Sequence, residues 1–478
     1  MAVLGHLEPK QVLSYFEQIC AIPHGSRNNT AISNWLVKFA QEHGLEHYQD
    51  AAENVIIIKE ATPGYENAEP VILQGHMDMV CEKAADCNKD MALEGLDLAV
   101  DGDLIYAKGT TLGGDDGIAV AMGLALLDSK DIPHPRLEVV ITTDEEIGME
   151  GAVALDVSPL KAKRMLNIDS EDEGVFTVSC AGGGTAVVKL PVLREACAGT
   201  VMTITVDGLA GGHSGVEIHK GRANADMLLG RVLYAASQAA ALRLVSVNGG
   251  LKDNAIPTAA QAVVVTESAE AVIGVCEEMN AAFRSEYSVT DSNVSVSATV
   301  GGEGVAMDEA STQRVLCLLQ CAPNGVQVMS ADIEGLVQTS LNLGVLMTGD
   351  REVSASFCVR SSVDSQKHML IQRLQCLAQQ LGGTMTLAGD YPGWAYRQDS
   401  PLRELMLDVF TAQYGYAPRI EAIHAGLECG LFAGKIPGLD CVSFGPDLTD
   451  IHTPRERMSV ASVQRVWTML LEILRRMK

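Results

Sequence analysis

Three short apolar runs before residue 172 each end on acidic or imidazole side chains, and this coincidence constrains the fold more than any other feature. The runs lie in "VILQGHMD", "LEVVITTDEE" and "RMLNIDSE". Each is rich in Val, Ile and Leu and too short for a buried helix, which predicts strands covered on both faces, as in a parallel sheet flanked by helices. Ligands of such folds bind at the carboxyl ends of the strands. Those ends carry His76 and Asp78, then Asp144, Glu145 and Glu146, then Asp169. "TTLGGDDGIAVAMGLALL" adds Asp115 and Asp116 where an apolar helix should begin, and "FGPDLTDIHTPRERM" adds His452.

The texture changes at about Gly182. "VMTITVDG", "QAVVVTES", "NVSVSATV" and "EVSASFCVRSS" alternate apolar with small or polar residues, as antiparallel strands with one solvated face do. Helical patterns are predicted between them at 222–244, 269–283, 312–321 and 364–381. After the turn-rich "GDYPGWAYRQDSP" the α/β pattern returns, with an apolar strand in "DCVSFGPD" and a helix over 459–477. A chain of 478 residues exceeds one ordinary core. The expectation is an α/β domain formed by 1–181 and 391–478, with a mixed, mainly parallel sheet between helices, interrupted by an α+β domain with an antiparallel sheet over 182–390.

A formal charge of -26 repels phosphate backbones and anionic headgroups, so neither nucleic acid nor a membrane surface is an expected partner. The twelve cysteines include no C-x-x-C pair, which fits reduced thiols, and no basic segment leads into a long apolar one. Both features predict a cytoplasmic protein.

Taken singly, a strand-end carboxylate serves as a helix cap or surface charge, Asp115 and Asp116 as helix caps, and His76 as a satisfied core histidine. Gathered at one rim, His76, Asp115, Glu146, Asp169 and His452 would repel one another or lie unpaired, and a cation resolves that conflict. Imidazole and carboxylate without thiolate favour Zn²⁺, with Mn²⁺ or Co²⁺ as substitutes. Five ligands exceed the need of one catalytic ion, so two divalent ions sharing a carboxylate fit the count.

In this order, "GHMDMV", "GGDDG", "TDEEIGMEGA", "NIDSE" and "HTPRE" resemble the motifs of the di-zinc aminoacylase and dipeptidase family of metallopeptidases, over nearly the whole chain. The resemblance implies a zinc-peptidase-like catalytic domain and an inserted lid domain. It implies one metal on His76, Asp115 and Asp169 and a second on Asp115, Glu146 and His452, with Glu145 as general base. Adjacent glutamates diverge if the backbone is extended, so one can ligate while the other faces the water. Asp78 is expected to accept a hydrogen bond from the His76 imidazole and orient it. A cis peptide is implied between Asp115 and Asp116, the second of which reads as a helix N-terminal charge.

In the lid, "GLAGGHSG" and "DNAIP" resemble the segments that supply His213 and Asn254 to the reacting carbonyl, with His219 as the rival imidazole. Arg360 is expected to clamp the substrate carboxylate, with a surface salt bridge as its alternative. Gly426 in "HAGLECG" is expected to line the pocket through its backbone, beside Glu428 of unassigned role. The implied activity is hydrolysis of unblocked dipeptides, Xaa-His dipeptides such as carnosine among them, by a homodimer. The alternatives are a tripeptide aminopeptidase, an N-acyl amino acid deacylase, or a metal-dependent binding protein without turnover.

Overall fold

The computed structural model describes residues 3–478, which divide into two units. The first comprises the described residues up to Ser179, Tyr396–Ala422 and Leu427–Lys478, and the second Cys180–Ala395 with Ile423–Gly426. The expected re-entry into the first unit therefore occurs near Tyr396, and the short segment Ile423–Gly426, assigned by sequence to the first unit, belongs to the second.

The first unit is built on an eight-stranded sheet. Its centre is Leu137–Thr142, Val71–His76 and Arg164–Asn167, side by side and parallel, with Asp440–Ser443 parallel on the far side of Arg164–Asn167. Every residue of Val71–His76 and Leu137–Thr142 is buried, which is why these runs carry no polar alternation. Outside them the sheet turns antiparallel through Val55–Lys59 and Glu46–Gln49. The helix Gly114–Asp128 is apolar on all sides from Ile118 to Leu127, and that stretch lies in the core. Gly123 lets it approach Val139, since a Cβ there would come within 2.9 Å of a Val139 methyl. Leu73 and Leu166 are fully packed in this layer, and truncating either to alanine would cost about 2–5 kcal/mol.

The second unit is an antiparallel sheet of nine strands, eight in the order Ser295–Val300, Thr200–Asp207, Ala260–Thr266, Leu242–Gly249, Val337–Thr348, Glu352–Ser361, Gly182–Pro191 and Thr384–Tyr391. Gly325–Met329 pairs with Val337–Thr348. Alternate residues such as Met202, Ile204 and Val206 enter a core with Leu229, Val232 and Leu233 of the helix Ala225–Ala239. The helix expected over 222–244 stops at Ala239, and "LRLVSVNG" from Leu242 is a strand instead. Its buried residues Leu242, Leu244 and Val247 continue the apolar run without a Gly or Pro to mark the change, so the pattern concealed the boundary. No disulfide forms among the described residues. No helix among the described residues is long and apolar enough to cross a membrane.

Candidate active site

The three central strands of the first unit run the same way, so their carboxyl ends share one rim of the sheet. His76 is the last residue of its strand, Glu145 and Glu146 follow Leu137–Thr142, and Asp169 follows Arg164–Asn167. Asp115 stands at the start of the core helix with non-helical dihedrals, and the peptide bond joining it to Asp116 is cis. His452 comes from the loop before the last helix, in the left-handed region at φ 59°.

The side chains converge. His76 Nε2 lies 3.2 Å from Asp115 Oδ1 and 3.6 Å from Asp169 Oδ1. His452 Nε2 lies 3.1 Å from Asp115 Oδ2 and 3.0 Å from Glu146 Oε2. Asp115 thus presents one oxygen to each histidine. Two sets of atoms lie close enough together to share an ion, one from His76, Asp115 and Glu146 and one from His76, Asp116 and Asp169. The Asp115 and Glu146 carboxylates hold the His452 imidazolium up to about 10. Burial lifts Asp169 to about 6 and drives Glu145 well above the usual carboxylate range.

Asp78 does something different from the expectation. The His76 Nδ1–H points at the main-chain oxygen of Asp78, 2.9 Å away, with the carboxylate Oδ1 farther off at 3.5 Å. That carboxylate instead accepts the Ser26 hydroxyl at 2.8 Å and the backbone N–H of Glu145 at 3.0 Å. Asp78 therefore orients His76 mainly through its backbone and fixes the Glu145 turn through its side chain. Glu145 and Glu146 lie in a hydrogen-bonded turn, with Gly148 and Met149 N–H groups on the Glu145 carbonyl, rather than in extended backbone. The turn separates the pair: Glu146 meets His452, whereas the Glu145 carboxylate has no hydrogen-bond or ion-pair partner among the described residues.

Asp116, read from sequence as a helix N-terminal charge, is buried. Its Oδ2 accepts the backbone N–H of His76 at 3.2 Å, and a Cβ on Gly75 would meet that oxygen at 2.4 Å. Glu428 is also buried, accepting Gln74 Nε2 at 2.5 Å and the Thr142 hydroxyl at 2.7 Å beneath the strand ends. Burial lifts its carboxyl to about 7. Sequence reading flagged neither contact, because each depends on pairing between distant segments.

The donor set fits a divalent cation. Among the described residues no Lys or Arg pairs with Asp115, Glu146 or Asp169, whose ion-pair partners are histidines alone. Glu146 also keeps one buried oxygen, Oε1, without a partner. Uncompensated buried carboxylates at this density are costly, and a cation removes the cost.

Within the second unit, His213 sits in a two-residue ladder with Ala255–Ile256, and Asn254 is exposed beside it. Both line an open cavity of about 700 Å³. His213 Nδ1 accepts the N–H groups of Gly215 and Val216, each at 3.2 Å, so its proton sits on Nε2, which remains a donor. Arg360 is buried in the strand Glu352–Ser361, and its Nη1 donates to the Tyr391 hydroxyl at 3.4 Å. The surface salt bridge that was its alternative does not form, since no carboxylate among the described residues pairs with it, and its Nε has no partner. A Cβ on Gly215 would fall 2.9 Å from the His213 ring and 3.2 Å from Arg360 Nε, so the bare glycine keeps open a space that both side chains border. His219 is exposed, and Gly426 is half-buried at the end of Ile423–Gly426.

A sheet rim carrying imidazoles and carboxylates with no cationic side chain to balance them defines a metal-dependent hydrolase, here of the peptidase class. The chain belongs to Peptidase family M20/M25/M40, whose profile matches residues 72–476. It is 37% identical over 480 residues to the cytosol non-specific dipeptidase of Escherichia coli (strain K12), covering 99% of each chain. It superposes with a TM-score of 0.94 on the crystal structure of aminoacylhistidine dipeptidase from Vibrio alginolyticus, at 38% identity, covering 99% of this chain and 97% of that one. Aminopeptidase PepT from Bacillus cereus shares the fold at 15% identity and a TM-score of 0.55, covering 99% of this chain and 100% of that one.

Proposed function

We propose that this chain is a two-metal dipeptidase that hydrolyses unblocked dipeptides, Xaa-His dipeptides such as carnosine among them. The observation that carries the reading is Asp115, with one carboxylate oxygen toward His76 and the other toward His452. His76, Asp115 and Asp169 would hold one ion, and Asp115, Glu146 and His452 the other. Zn²⁺ suits this thiolate-free set, and Mn²⁺ or Co²⁺ accepts the same ligands. When bound, such ions polarise the scissile carbonyl and lower the pKa of water.

The chain's own groups do the rest. Glu145, whose carboxylate is unpaired and whose amide is tied to Asp78, takes the proton of the attacking water and passes it to the leaving amine. Asp78 acts by holding that turn and His76 in place. Arg360 takes the substrate's free carboxylate in its guanidinium fork, a role supported by its burial without an acidic partner. His213 donates from Nε2 to the developing oxyanion, Asn254 adds a second donor, and the Gly426 backbone lines the pocket. A fixed carboxylate anchor selects dipeptide length over side-chain identity. The names of the Escherichia coli and Vibrio relatives support the dipeptide over a tripeptide or an N-acyl amino acid. Cytoplasmic location and a homodimer complete the reading, supported by the name of the Escherichia coli relative and by the family resemblance respectively.

Steady-state rates on a dipeptide, a tripeptide and an N-acetyl amino acid, before and after chelation and re-addition of Zn²⁺ or Mn²⁺, test this reading. Turnover of the dipeptide, lost on chelation and restored by metal, is expected. Preference for either of the other substrates would overturn the dipeptidase assignment, and full activity after chelation would overturn the metal.

A further inference from the structure

Glu456 lies four residues beyond His452 and is 2% exposed. Its carboxylate has no Lys, Arg or His partner among the described residues, and Arg457 reaches only its main-chain carbonyl, at 2.8 Å. Its carboxylate is instead filled by three consecutive backbone N–H groups: Leu112 on Oε2 at 2.7 Å, Gly113 on Oε2 at 3.2 Å and Gly114 on Oε1 at 2.8 Å. These amides lead into and open the helix Gly114–Asp128, and they would otherwise be the unpaired donors of a buried helix terminus. The contact is tightly shaped. A Cβ on Gly114 would come 2.5 Å from a Leu448 methyl and 3.2 Å from Glu456 Oε1, and Gly113 adopts φ 66°, so the two glycines of "GGDD" are what allow the chain to wrap the carboxylate.

The loop on the other side is equally braced. Glu456 N–H bonds to the Thr453 carbonyl, and the Thr453 hydroxyl donates to the Asp450 carbonyl while accepting the Arg455 N–H. His452 lies inside this turn and Asp115 directly follows the three amides, so one buried carboxylate ties together the two backbone segments that carry these side chains.

We propose that Glu456 is a positioning residue that sets the spacing between Asp115 and His452 and thereby the affinity of the metal site they share. This rests on the two-metal reading above. The cost of burying a carboxylate is met by three amides, and removing it leaves three buried N–H groups free to reorganise the Asp115 backbone.

The test is Glu456→Gln in the full-length protein, with Zn²⁺ binding measured by calorimetric titration of the metal-free form. The amide keeps one acceptor but turns an NH₂ toward an N–H it cannot accept. Expected results are a dissociation constant for one of the two ions raised about 10–100-fold, the scale on which groups supporting metal ligands act. A lower kcat should accompany it, with KM within about twofold of wild type. Amide hydrogen exchange at Leu112–Gly114 should also quicken in the metal-free protein, a readout independent of turnover.

Glu456→Asp keeps the charge but withdraws it by one methylene. It gives the same readouts if the glutamine variant does not fold. Wild-type affinity for both ions and wild-type kcat in either folded variant, even with a lowered Tm, would overturn the proposal and leave Glu456 a packing residue. Failure of the wild-type protein to bind two ions would overturn the two-metal reading instead.

Discussion

Replacing Asp226 by asparagine should stabilise the protein at neutral pH and leave its stability unchanged in acid. Asp226 sits in the first turn of Ala225–Ala239 with both carboxylate oxygens buried and unpartnered. A Cβ on Gly249 would fall 1.8 Å from one of them, so the packing leaves little room around the carboxyl. Burial raises its pKa from 3.8 to about 8. The folded protein therefore keeps a proton that the unfolded chain releases near pH 3.8. The penalty is absent below that pH, grows by about 1.4 kcal/mol per unit above it, and is complete above about pH 8.

At pH 7 this amounts to a ceiling of about 4 kcal/mol, from which the favourable helix N-terminus takes about 1 kcal/mol or more. About 2–3 kcal/mol remains for a neutral isostere to recover, and in a domain of roughly 150–250 residues each kcal/mol moves Tm by about 2–4 °C. Scanning calorimetry of wild type and Asp226→Asn at pH 4 and pH 7 should find coincident transitions in acid. At neutral pH the variant should melt about 5 °C or more higher. A gap of equal size at both pH values would refute the reasoning, because an uncharged packing difference does not titrate.

Glu145→Gln should lower kcat by about 10²–10⁴-fold while metal content stays at the wild-type level, measured by elemental analysis beside steady-state rates. Arg360→Met should lower kcat/KM for free dipeptides by about 10–100-fold, the value of a charge-assisted hydrogen-bonded pair, and leave dipeptide amides unaffected; equal losses on both would remove the carboxylate role. Gly75→Ala should reduce stability by about 1–3 kcal/mol in a chemical melt, since the new methyl collides with Asp116 Oδ2 and the Ala119 Cβ.

The rim of the sheet was legible because parallel strands buried on both faces must be apolar until they end, so His76 and Asp169 stood out against their own runs. The antiparallel unit was legible where one face is solvated, as in Thr200–Asp207, and illegible where it is not. In Thr384–Tyr391 nearly every residue is exposed, so no alternation marks the strand. Asp116 and Glu456 were missed for a common reason. A solvated carboxylate and one filled by backbone amides have the same letter in the sequence, and only the fold of distant segments onto them tells the two apart. Asp78 was half legible: its place two residues beyond His76 marked it as supporting, but its side chain holds Glu145, a contact across 67 residues. The "DEE" turn was misjudged because its geometry is set by Asp144 at φ 52° and by hydrogen bonds from Gly148 and Met149.

A crystal of the protein grown with Zn²⁺, with anomalous scattering recorded at the zinc edge, asks most directly whether Asp115 is shared. The account predicts two peaks, one within coordination distance of His76 and Asp169 and the other of Glu146 and His452, each touching an Asp115 oxygen. A single peak, or zinc bound elsewhere with Asp115 still between the two histidines, would contradict it.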